Sequence, residues 1–188
     1  EQYLRGLCKL AHIEDCVEQW QHRAEQDTGL TEYLGLTGEE HKTFLCGGRD
    51  ALAALLELQR RKQRFVLYQL QLDEENAIPF AFKDITALKA AGYEQPPAAM
   101  YYVAGSGEIY CPAEESDDTL LKRLFADCRE RLPEGCRGRP MAISDVVELN
   151  HGAKRAYYYV SGQDQFRQVK FSPMLAKKEI PEKTQERF

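Results

Sequence analysis

The sequence predicts an α+β fold: a small, mostly antiparallel sheet with one packed amphipathic helix, preceded by an α-helical N-terminal segment. Three observations carry this. Apolar residues recur at helical spacing up to residue 62 and switch to a two-residue period from Arg64. Leu120, Leu121, Leu124, Phe125 and Cys128 form one stripe of a later helix, over 118–130. Near the C-terminus, strand-like runs at 146–149, 153–160 and 166–171 are separated by Asn150-His151-Gly152 and Ser161-Gly162-Gln163-Asp164, both turn sequences, so a three-stranded meander is expected.

Taken in order, residues 4–20 hold two apolar stripes. One is Leu4, Leu7, Cys8 and Ala11; the other is Ile13, Cys16, Val17 and Trp20. At about 100° per residue they face opposite sides, so a break near His12 is expected. Thr37 and Glu40 have the spacing of a capping box, which starts a short helix that stops at Cys46-Gly47-Gly48. A second helix over 50–62 buries Leu52, Leu55 and Leu56 and carries Arg60, Arg61 and Lys62 at its C-terminal end, where cations suit the helix dipole.

The two-fold period then gives a strand over 65–72. Asp73-Glu74-Glu75-Asn76 is a turn, and 79–82 reads as a partner strand weakened by Pro79. Asp84 caps a short helix with Ile85 and Leu88, closed by Gly92. A strand over 99–103 ends at Gly105-Ser106-Gly107. Ser116 or Asp117 caps the 118–130 helix, and Pro133, Gly135, Gly138 and Pro140 mark a long loop. The organisation expected is a helical segment over 1–62, an α+β domain over 63–172 and a charged tail or linker over 173–188. With no initiator Met, the chain reads as a piece of a longer protein.

Composition bounds the function. Of 188 residues, 43% are apolar and 29% charged, which suffices for a core. The net charge of −5 opposes general nucleic-acid binding, which needs a basic face. No apolar run is long enough for a membrane span. The six cysteines, at 8, 16, 46, 111, 128 and 136, form no C-x-x-C pair, and Cys8, Cys16 and Cys128 fall at apolar helical positions, so reduced thiols are expected.

Three stretches occur together: Arg64-Phe65-Val66-Leu67-Tyr68-Gln69-Leu70; the segment 82–92 followed by Tyr101-Tyr102-Val103 and the 118–128 helix; and Ala142-Ile143-Ser144-Asp145-Val146-Val147-Glu148-Leu149 with Ala156-Tyr157-Tyr158 and Phe166-Arg167-Gln168-Val169. In this order they resemble the YodL-like domain family over residues 63–171. The resemblance implies a bacterial cytoplasmic protein associated with mobile elements and fused to other modules. It implies no activity.

Candidate site residues are few. Ser144 and Asp145 precede a strand, where they either bind main-chain amides and fix its start or anchor a partner. No G-x-S-x-G frames Ser144, and no histidine is placed as its base. His12, His22, His41 and His151 lack metal-binding spacing. Gly47-Gly48 and Gly105-x-Gly107 match no phosphate loop. Tyr157 and Tyr159 share one strand face and serve either core packing or partner contact. Arg60, Arg61 and Arg64 form the one dense basic run, either a solvated helix end or a phosphate contact. No catalytic residue, metal ligand or cofactor is expected. The reading is a non-catalytic protein-interaction or regulatory module with a protein partner, contacted through Ser144, Asp145, Tyr157 and Tyr159. The alternative is a nucleic-acid accessory module using the 60–64 run.

Overall fold

A computed structural model describes residues 3–5, 9–23, 29–151 and 154–178. Leu7, Cys8, the Gly152 end of the expected hairpin turn and the 179–188 part of the expected tail lie outside the described residues. Contacts divide the chain into two units, one of Glu1–Lys62 with Ile109–Glu115 and one of Gln63–Glu108 with Ser116–Phe188.

In the first unit, Lys9 is extended, a 3-10 turn follows at Leu10–His12, and helix α1 spans Ile13–Gln21. The second apolar stripe forms α1, but the first is not continued to His12 as α-helix, since Lys9 is extended and Leu10–His12 is a 3-10 turn. Helix α2 is the single turn Leu30–Tyr33, and α3 spans Gly38–Leu58. The capping box starts α3: Thr37 Oγ1 accepts from the Glu40 amide at 3.3 Å, and the Glu40 carboxylate accepts from the Thr37 amide at 2.6 Å. Gly48, at φ 68°, kinks α3 where two helices were expected. Ile13, Leu52 and Leu56 form the core of this unit, with Leu10, Leu34, Leu36 and Phe44 against it.

Strand β1 runs over Arg60–Leu70. This corrects the expected helix end at 60–62: the last turn of α3 closes at Gln59, and the basic residues begin the strand. The strand thus begins four residues before the two-fold period that the sequence shows from Arg64.

Strand β2 spans Tyr101–Pro112, helix α4 Ile85–Ala90, helix α5 Asp117–Cys128, and strands β3, β4 and β5 Val146–His151, Lys154–Gly162 and Gln165–Val169. The sheet order is β2-β1-β3-β4-β5, and the β1–β3, β3–β4 and β4–β5 pairs are antiparallel. β2 corrects the expectation of a short strand stopped by glycines. It runs through Gly105 and Gly107 because those sites leave no space for a side chain. A Cβ on Gly105 would lie 2.4 Å from Cys136 Sγ and 2.7 Å from its Cα, and one on Gly107 would lie 2.8 Å from the Phe65 ring.

Strand register sorts the side chains of the second unit onto two faces. Phe65, Leu67, Val147, Leu149, Val160 and Phe166 share one. Helix α5 lies on that face with Leu120, Leu121, Leu124, Phe125 and Cys128 buried, Phe125 meeting Phe166 edge-on at 6.2 Å. Burial pushes the Cys128 thiol up to about 12, so it behaves as a small apolar group. Tyr68, Leu70, Val146 and Tyr159 point the other way and pack with Ala77, Phe80, Leu88, Tyr101 and Phe171. Residues 79–82 thus contribute to the core as turns, not as the expected partner strand: Phe80 is buried, Ala81 donates to Ala77 O at 2.9 Å, and Phe82 has a left-handed backbone.

The open edge of β2 is covered by chain that the sequence suggested was tail. Val103 donates to Lys177 O and Lys177 donates to Tyr101 O, both at 2.9 Å, and Ala176 is buried. Capping an edge this way blocks pairing with other chains. No helix among the described residues is long and apolar enough to cross a membrane.

The tight approach at Gly105 is testable. Gly105→Ala should lower stability by about 1–3 kcal/mol in urea unfolding, the usual effect of overpacking. Gly38→Ala, at a site with open space around it, should leave the midpoint near that of the parent chain. Coincident curves for the Gly105 variant and the parent would mean that β2 and Cys136 are not in contact.

Candidate functional site

The site grows from the loop that joins α5 to β3. This loop must return the chain to the centre of the sheet while Asp145, its last residue, is fully buried. A buried carboxylate needs several donors. Asp145 Oδ2 accepts from Arg139 Nη1 at 2.9 Å, from the Ala142 amide at 2.9 Å and from Gln69 Nε2 at 3.3 Å. Its Oδ1 accepts from Arg139 Nη2 in a short charge-assisted bond. Burial pushes the Asp145 carboxyl up, while Arg139, the Ala142 amide and Gln69 oppose that shift.

Arg139 is held as firmly as its partner. It is 5% exposed. Its amide donates to Gln69 Oε1 at 3.1 Å, and its carbonyl accepts from Gln69 Nε2 at 2.7 Å. Gln69 Oε1 also accepts from the Tyr102 hydroxyl at 3.0 Å. Burial raises the Tyr102 hydroxyl to about 12. Gly138, at φ 123°, lets the loop pass Gln69, since a Cβ there would sit 2.5 Å from Oε1.

Among the described residues, two that are not glycine have left-handed backbones, Ser144 at φ 80° and Phe82 at φ 58°. They are joined by one bond: the Phe82 amide donates to Ser144 Oγ at 3.1 Å. The Ser144 carbonyl accepts from the Tyr101 hydroxyl at 2.9 Å. The chain after Phe82 is gripped in the same manner. Tyr159 Oη donates to Lys83 O at 2.9 Å, and the Ile85 amide donates to Ser161 Oγ at 3.1 Å. The Arg139 guanidinium lies 4.9 Å from the centre of the Phe82 ring, in cation–π contact. Buried polar groups from the strands and loops thus converge on one short turn, and that turn presents Phe82, 48% exposed, with Ile78, 63% exposed, in the same segment.

Of the residues expected to contact a partner, Ser144, Asp145 and Tyr159 have no exposed surface and are bonded to neighbouring chain. Tyr157 is half-buried on the same sheet face as Tyr159 and stands outside the cluster, beside Glu148 and Phe171. His151 Nε2 and the Tyr158 hydroxyl both meet Asp117 Oδ2, at 3.0 and 2.6 Å, so His151 is engaged at the end of β3 remote from Ser144.

The three arginines do not act as a run. Arg60 stacks over the Tyr110 ring at 3.6 Å and pairs with Glu57 at 3.3 Å. Arg61 donates to Glu115 O at 2.7 Å and to Cys111 Sγ at 3.2 Å. Arg64 is exposed. No cluster of metal-ligating residues occurs among the described residues.

Removing one partner of the buried pair should be far worse than removing both. Asp145→Asn should cost about 3–5 kcal/mol, because it leaves the Arg139 charge buried and uncompensated. Arg139→Met with Asp145→Leu should recover most of that loss. Urea midpoints of the two variants decide it, and a single variant as stable as the parent would show that the pair does not hold the loop.

The YodL-like domain family matches residues 64–171. No curated protein and no solved structure matches the chain. The matched span covers the sheet from Arg64 on, α5, the Arg139–Asp145 loop and the Phe82 turn, and on that match the chain belongs to the YodL-like domain family.

Proposed function

We propose that this chain is a non-catalytic protein-interaction or regulatory module of a bacterial cytoplasmic, mobile-element-type protein, and that Phe82 is its docking anchor. The bacterial and mobile-element setting rests on the family resemblance. The docking role rests on one observation: a bulky residue is kept in a left-handed backbone with about half its surface exposed. Such a conformation costs on the order of 1–3 kcal/mol and survives only where the surroundings over-determine it. Here the surroundings are Ser144 Oγ on its own amide, Tyr159 on the next carbonyl, Ser161 on the Ile85 amide and Arg139 against the ring. A solvent-facing aromatic gains little from that effort unless it enters a pocket elsewhere. Exposed aromatics on rigid supports are the usual anchors of protein interfaces. Ile78 enlarges the apolar surface that a partner would cover.

Strain makes the test selective. Phe82→Gly removes the ring and its Arg139 contact but relieves the positive φ, so the melting temperature should fall only slightly while binding is lost. A photo-cross-linking phenylalanine analogue at position 82 should give discrete protein adducts in cells that naturally express the chain. Excess unlabelled parent should compete them away, and excess Phe82→Gly protein should not. Equal competition by both proteins would remove Phe82 as the anchor.

A further inference from the structure

We propose that the uncovered end of the sheet binds single-stranded nucleic acid, through Arg64, Asn150, Arg155 and Tyr157. Register brings these residues together although they are far apart in sequence. Arg64 pairs with Asn150, which pairs with Arg155, so the three form one row across β1, β3 and β4. The next row on the same face is Val66, Glu148, Tyr157 and Val169. Strands lie about 4.8 Å apart, so the two arginines flank Asn150 across about 10 Å.

The turn at 82–85 and the chain near Phe171 cover the following row, in which Tyr68, Val146 and Tyr159 are buried. They leave the first row open. Arg64 is exposed, Arg155 has 60% of its side chain exposed, and Asn150 and Tyr157 are half-buried. The one carboxylate on these rows, Glu148, is 3% exposed and turned inward: it accepts from Tyr68 Oη at 2.7 Å and meets Arg155 Nε at 3.6 Å. Arg155 is thus part-neutralised by Glu148 and also bonded to Tyr157, and two arginines against one carboxylate leave these rows a net positive charge, in a chain of net charge −5.

These side chains match what an unpaired strand offers. Guanidinium groups take phosphate in bidentate fashion. A tyrosine on an open sheet face stacks a base, and this ring is backed by Phe171 at 5.7 Å. The Asn150 amide carries both a donor and an acceptor for a base edge. An acidic peptide would use the arginines but would leave the aromatic platform and the amide idle. A duplex keeps its bases stacked and could not reach Tyr157. The cationic surface so defined shares only Arg64 with the basic run at 60–64.

The test is fluorescence anisotropy of the full chain with a labelled single-stranded oligonucleotide of about 12 nucleotides. Saturable binding is expected at about 50 mM salt, with a log–log salt slope near −1.4, as two phosphate contacts on a single strand require. Arg64→Gln with Arg155→Gln should weaken binding about tenfold and flatten that slope. Tyr157→Leu should weaken it with the slope kept. Phe82→Gly should bind as the parent does, which separates this surface from the docking anchor. The proposal is overturned by absence of saturable binding, by equal affinity for duplex, by an arginine variant that binds like the parent, or by a polyglutamate peptide that displaces the strand as well as unlabelled oligonucleotide does.

Discussion

Asp145 is fully buried, and the groups that satisfy its charge come from two places in the chain. Arg139 and Ala142 belong to the loop before it, and Gln69 belongs to β1, the strand beside β3. Taking two charges out of water costs several kcal/mol for each, and an apolar pair of similar shape is often as stable. What the pair adds is uniqueness. A loop rich in Gly and Pro has many low-energy paths, but few place a guanidinium and two further donors around one carboxylate. Gln69 tightens this choice, since it bonds the Arg139 backbone through both its amide nitrogen and its oxygen.

The same constraint reaches the surface. Once Asp145 is fixed, Ser144 must turn left-handed to bring its hydroxyl outward and its carbonyl to Tyr101. That hydroxyl then meets the Phe82 amide. Phe82 is left-handed as a consequence, and Arg139, which neutralises Asp145, also supports the Phe82 ring. A single buried charge thus dictates the conformation of an exposed aromatic one layer away. Strain of this kind persists only because its removal would break several buried hydrogen bonds at once.

Periodicity made the fold class legible. The stripe at Leu120, Leu121, Leu124, Phe125 and Cys128 is a local signal, and all five residues are buried. The capping box at Thr37 and Glu40 is also local and formed as spaced. The errors arose where distant chain decides. Gly105 and Gly107 resemble a stop, yet they admit Cys136 and Phe65 beside a continuous strand. Arg60 to Lys62 fit a helix end by charge, yet they pair in the sheet. The site was half legible. Ser144-Asp145 stood out as a polar pair before a strand, but their burial and their link to Phe82 span 62 residues of sequence and carry no local mark. Arg139 gave a usable hint, a charged residue set between Gly138 and Pro140.

Tyr157 and Tyr159 show how sharply the cover of the sheet divides its surface. They lie two residues apart on one face of β4, and their sequence context is nearly the same. Tyr159 is buried because the Lys83 carbonyl sits on its hydroxyl. Tyr157 lies one row beyond the reach of that turn and is only backed, by Phe171. The turn cannot extend further, because Phe82 is pinned from below by Ser144 and α4 begins at Ile85. The limit of the cover, and with it the open row of Arg64, Asn150 and Arg155, follows from where the buried pair places that turn.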